Sequence, residues 1–131
     1  MRLSRGALAL VAALGASVVL AVLLSPLGFE SRPSSHLKIV GFVAIGTVLA
    51  GVIVDVASIV FLFRRVRLAS SLAIIGSLLF VFPAVADQTG SFFSLPIPPV
   101  VNAFEYVFAA ALLVTLFLAW RVRAQSDPST G

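Results

Sequence analysis

The chain has 131 residues, 60% hydrophobic and only 11% charged, with a mean hydropathy of +1.16; a soluble domain carries about 25% charged residues and could not bury this excess in one core. Its net charge of +4 does not mark a nucleic-acid binder, because the basic residues flank apolar segments instead of forming a patch interleaved with exposed aromatics. The absence of cysteine excludes disulfides, thiolate metal sites and thiol redox chemistry, and the lone His36 cannot supply bis-histidine haem ligation or, by itself, a histidine zinc site.

Four apolar stretches follow, each near the roughly 20 residues a helix needs to cross about 30 Å of hydrocarbon. Lipid offers the backbone no partners, and no alternating barrel strands are visible, so helices are expected over about 6–28, 38–63, 67–87 and 99–121. They make one integral membrane domain. The first stretch is uncharged from 6 to 29 and preceded by Arg2 and Arg5. It outruns the h-region of a cleaved signal peptide, and a turn through Ser25, Pro26, Leu27 and Gly28 follows where a cleavage site would stand. A retained helix is therefore expected, packed through the arc of Gly6, Ala9, Ala13 and Ala16 with its bulky residues toward lipid.

The second stretch is broken only by Asp55. Ala44, Thr47, Gly51, Asp55 and Ser58 fall within an arc of about 80° at helical spacing, a small and polar stripe expected to look inward. In the third stretch Ala69, Ala73, Gly76 and Ala84 share a face, and Pro83 is expected to bend the helix or release the Leu79 carbonyl. Residues 87–99 read DQTGSFFSLPIPP, where Phe92, Phe93, Leu95 and Ile97 alternate with Pro96, Pro98 and Pro99. This strip is expected to lie on the headgroup layer or over the helix ends, with a partner-docking strip as the alternative. In the fourth stretch Asn102, Glu105 and Ala109 cluster within about 60°, Tyr106 borders them, and Trp120 stands at the boundary as an interfacial anchor. The tail 124–131 is polar and expected to be disordered.

Charge orients these segments. Arg2, Arg5, Arg64, Arg65, Arg67, Arg121 and Arg123 fall on one side, leaving Arg32 and Lys38 on the other. The positive-inside rule then gives an all-α, up-down bundle of four transmembrane helices with both termini cytoplasmic. Short loops and this bias suit a prokaryotic plasma membrane.

Two acids stand inside the apolar stretches, where a charged carboxylate costs about 2.5–3.5 kcal/mol on insertion scales. Asp55 and Glu105, with Ser58, Thr47, Asn102 and Tyr106 around them, form the candidate proton, ion or interhelical polar site. Counting from Arg64 and Trp120 places Asp55 roughly 13 Å and Glu105 roughly 22 Å above the inner boundary, too far apart to share a proton. No basic residue lies at either depth. Asp55 is read first as a neutral group hydrogen-bonded between helices, with a hydroxyl such as Ser58 as partner. Proton or cation handling is second, and a subunit contact third. Glu105 is expected near enough to the outer surface to be hydrated with help from Asn102 and Tyr106.

No catalytic, metal or cofactor motif is present, and no Gly-rich strand–helix loop for a nucleotide. The expectation is a non-enzymatic four-helix accessory or scaffold subunit. Its partners would be the lipid bilayer and a homo-oligomer or larger membrane complex. The alternative is a small oligomeric proton-coupled transporter or channel using Asp55, with Glu105 at its mouth. In size and helix count the chain resembles the small multidrug-resistance transporters, which carry their essential glutamate in the first helix. Here the first helix has no charge, and the chain is not assigned to that family.

Overall fold

The computed structural model describes residues 5–31, 38–90 and 97–125, with side chains 25–31 excepted. The described residues form four helices, α1 (Arg5–Ser31), α2 (Ile39–Phe61), α3 (Val66–Gln88) and α4 (Pro99–Gln125). Each is long and apolar enough to cross a membrane. Without water to satisfy them, backbone groups must pair within the segment, and this outweighs the modest helix propensity of the Val- and Ile-rich α2.

The helices run further than the sequence pattern alone places them. α1 continues to Ser31 through Pro26 and Gly28, where a turn was expected. α3 is continuous through a buried Pro83, which has no N–H to give to the Leu79 carbonyl. α4 extends to Gln125, so the expected disordered tail has Ala124 and Gln125 in the helix, and 126–131 lie outside the described residues. Phe92, Phe93, Leu95 and Pro96 of the apolar strip also lie outside them.

Connections are short and locally satisfied. Leu62–Arg65 joins α2 to α3, with the Arg64 and Arg65 amides donating to the Phe61 carbonyl at 2.9 and 2.6 Å. α3 closes at Thr89, whose hydroxyl donates back to Val85 at 2.9 Å. Gly90 then takes φ +76°, a left-handed conformation that favours glycine. The Gly90 carbonyl accepts from Lys38 Nζ at 2.8 Å, which clips the start of α2 to the end of α3.

α2 and α3 share the most extensive interface. Ser58 meets Ala69, Asp55 meets Gly76 and Gly51 meets Phe80, so contacts advance on α3 as they retreat on α2. α3 meets α4 through Phe80 and Phe108, whose rings stand edge-to-face at 5.3 Å. α1 packs on α4, and the α1–α2 contact is the thinnest of the ring. Two apolar clusters result. One gathers Ala7, Leu10, Leu14, Leu62, Ala69, Ala73, Ala119 and Val122. The other gathers Ala21, Phe80, Phe108 and Leu112.

The α2 stripe and the Ala69, Ala73 and Gly76 face of α3 are buried as expected, with Thr47 and Ala84 only partly so. The expected α1 face is not: Ala9 and Ala16 are exposed, and Ala7, Leu10, Leu14, Ser17 and Ala21 face the core. On α4, Ala119 shares the cluster with Leu10 and Leu14. Small residues therefore occur on both sides of the seam, Ala7, Ser17 and Ala21 on α1 and Thr115 and Ala119 on α4, between larger ones.

At Gly51 an added Cβ would lie 2.9 Å from Phe80 Cε1, whereas one at Gly46 would meet nothing. Gly51→Leu should therefore lower thermal stability in detergent by about 1–3 kcal/mol, because the buried Phe80 ring must leave its stack on Phe108. Gly46→Leu should stay within about 0.5 kcal/mol of the parent. Equal losses in the two variants would place Gly51 outside the interface.

Candidate functional site

Between the two apolar clusters lies a layer to which each helix contributes one polar side chain. Ser17 from α1, Asp55 from α2, Ser77 from α3 and Thr115 from α4 are all fully buried. The level follows from the neighbours. On α1 and α4, Ser17 and Thr115 fall between Leu14 and Ala21 and between Leu112 and Ala119. On α3, Gly76 and Ser77 fall between Ala73 and Phe80.

Ser17 and Thr115 tie α1 to α4. Their hydroxyl oxygens lie 3.3 Å apart. Each hydroxyl also lies within donating distance of its own helix, Ser17 to Ala13 O at 3.0 Å and Thr115 to Ala111 O at 2.7 Å. Two protons serve three contacts, so the cross-helix bond forms when either hydroxyl turns away from its carbonyl. On the other side of the layer, Asp55 Oδ1 is pressed against Gly76 at the position a Cβ would occupy. Neither carboxyl oxygen of Asp55, nor Ser77 Oγ, has a hydrogen-bond partner among the described residues. An unsatisfied buried polar group costs about 1–3 kcal/mol, more if charged, so this half of the layer is where the bundle bears its largest polar penalty.

The expected companions of Asp55 are engaged elsewhere. Ser58 Oγ donates across to Ala69 O at 2.6 Å, and Thr47 Oγ1 to Ala44 O at 2.8 Å within its own helix. Glu105 is buried at the far end, where it accepts from Gln88 Nε2 at 2.8 Å. The second amide proton of Gln88 serves Asn102 Oδ1 at 3.0 Å. Tyr106 is 65% exposed and turns out of this cluster. Asp55 and Glu105 are thus apart: the first stands level with Gly76 and the second with Gln88, twelve residues further along α3, or about 18 Å. The depth count gave about half of that, because Trp120 lies roughly a turn inside the arginine end of the bundle. Among the described residues no group of three metal-binding side chains converges.

Four participants are absent from the sequence expectations: Gln88, Ser17, Thr115 and Ser77. The sequence pattern puts Gln88 in a loop, yet it is the donor that organises Glu105 and Asn102. Ser17 and Thr115 did carry a signal. Ser17 is the only polar side chain between Gly6 and Leu24, and Thr115 the only one between Val107 and Ala119. Ser77 carried none beyond being one serine of several on α3.

Comparison with family models, curated proteins and solved structures finds no match. The site must be read from its own chemistry.

Gly76→Ala should destabilise the bundle by about 1–3 kcal/mol, since the new methyl group meets the Asp55 carboxyl. Asp55→Ala should relieve the clash, so the double variant is more stable than Gly76→Ala alone and the cycle shows strong coupling. Strict additivity would mean that the carboxyl does not occupy the Gly76 slot.

Proposed function

We propose that this chain is a non-enzymatic accessory or scaffold subunit of the membrane, built as an up-down bundle with both termini cytoplasmic. The observation that carries the reading is the way the polar layer is enclosed. Its four side chains are fully buried, and an apolar cluster lies on either side along the bundle axis. A transport site needs access from each side in turn, whereas an enclosed layer serves to fix helix register, the best attested use of buried polar groups. Outside, Ile39, Leu49, Ile53, Leu113 and Phe117 are all more than half exposed, a surface suited to lipid or to the helices of a larger assembly.

Orientation rests on charge. Leu62, Ala7 and Val122 share a cluster, so Arg5, Arg64, Arg65, Arg67, Arg121 and Arg123 gather at one end. Arg123 Nε donates to Ser71 Oγ at 3.0 Å and joins the end of α4 to the start of α3 there. Lys38, Asp87, Gln88 and Glu105 occupy the opposite end. Reporter fusions after Arg67 and after Ala124 should read as cytoplasmic and a fusion at Ser34 as external. An external Arg67 fusion would reverse the model, and replacing Arg64, Arg65 and Arg67 together should weaken the bias.

A second reading is supported by the unpartnered oxygens of Asp55 and Ser77, which are placed to hold a proton or cation in the middle of the bundle. Asp55→Asn separates the two. A register-fixing aspartate tolerates the amide, so the variant should retain its fold and its co-purifying partners in mild detergent. If the chain reconstituted alone dissipates a pH gradient and Asp55→Asn abolishes this with the fold intact, the accessory reading fails.

A further inference from the structure

At the arginine-rich end, the start of α1 and the last turns of α4 part to leave a groove of about 360 Å³ lined by Arg5, Gly6, Leu118, Arg121, Val122 and Gln125. Leu118 and Val122 join the groove to the apolar cluster beneath. Arg5 and Arg121 are exposed and make no hydrogen bond or ion pair with any described residue, whereas Arg123 is engaged by Ser71. The described carboxylates are remote: Asp55 lies in the buried layer, and Asp87 and Glu105 are at the opposite end. Trp120, the only tryptophan of the chain, is 68% exposed next to Arg121.

A bare pair of guanidinium groups on two helices matches a phosphate, which takes bidentate or paired arginine donors, and the Gln125 amide adds a neutral donor. The apolar half of the lining and the position at the ends of two membrane-length helices distinguish the source. A free phosphate gains nothing from Leu118 and Val122, but a glycerophospholipid places its phosphate at the boundary and its acyl chains below it. We propose that this groove binds the headgroup of an anionic phospholipid, with Arg5 and Arg121 on the phosphate and the upper acyl chain against Leu118 and Val122. The inference rests on the bilayer setting and is independent of the accessory-subunit reading.

Trp120 provides the measurement. In vesicles carrying brominated phosphatidylglycerol or brominated phosphatidylcholine at equal mole fraction, its fluorescence should be quenched more by the anionic lipid. A guanidinium seated on a phosphate contributes about tenfold or more, against the roughly fivefold of diffuse surface attraction, so the Arg5→Gln/Arg121→Gln variant should lose roughly 100-fold or more in relative affinity for phosphatidylglycerol. Arg64→Gln/Arg65→Gln removes the same charge from the same end but leaves the groove intact, and should lose far less. Helical circular dichroism and a single elution peak establish that each variant is folded. If the groove variant does not fold, the parent still decides, by its preference between the two lipids and by competition with inorganic phosphate. Equal quenching by the two lipids overturns the proposal. So do equal losses in the two double variants, which would mean general surface attraction, and displacement by millimolar inorganic phosphate, which would mean a free-anion site. Asp127→Asn should leave the preference unchanged; a severalfold rise would show that this acid, six residues after Arg121, fills the groove instead.

Discussion

The close approach of α2 to α3 is the constraint on which the bundle turns. It is made possible at two glycines on opposite helices, Gly51 beneath the Phe80 ring and Gly76 beneath the Asp55 carboxyl. In lipid there is no hydrophobic force to press helices together, so contact area and close packing must do it. With Phe80 seated on Gly51, its ring edge reaches Phe108 and draws in α4. With Ser58 bonded to Ala69, the hairpin register is pinned on the arginine side of Asp55. α1 then completes the ring chiefly through α4.

How much of this was legible varies with the physical signal. Helix number follows from hydropathy because lipid leaves the backbone one option, and the structure has four membrane-length helices. The inward stripe on α2 was legible because small and polar residues recur on one face against bulky ones. α1 was misread for the converse reason. Its alanines are spread around the helix, so smallness singles out no one face, and the face that packs carries Leu10 and Leu14 beside Ala7, Ser17 and Ala21. α1 and α4 run on to Ser31 and Gln125, beyond the last strongly apolar residues, where hydropathy carries no signal for the helix end.

The candidate site shows the same division. That Asp55 and Glu105 do not form a pair could be read from their spacing. That Ser58 bonds Ala69 and leaves Asp55 alone could not, because an acceptor on a backbone carbonyl has no mark in the sequence. Nor could the role of Gln88, which depends on α3 continuing past Asp87 to bring its amide over Glu105.

The shared hydroxyls of Ser17 and Thr115 have a consequence for motion. Each has a carbonyl of its own to return to, at 3.0 and 2.7 Å, so separating them leaves no orphaned group on either helix. The α1–α4 seam can therefore bond in either direction or open, with the same number of hydroxyl hydrogen bonds in each case. α2 and α3 have no such slack, with a carboxyl wedged on a glycine and a ring wedged on another. Any breathing of the bundle should therefore be taken up by α1 sliding on α4, with the α2–α3 hairpin as the rigid frame.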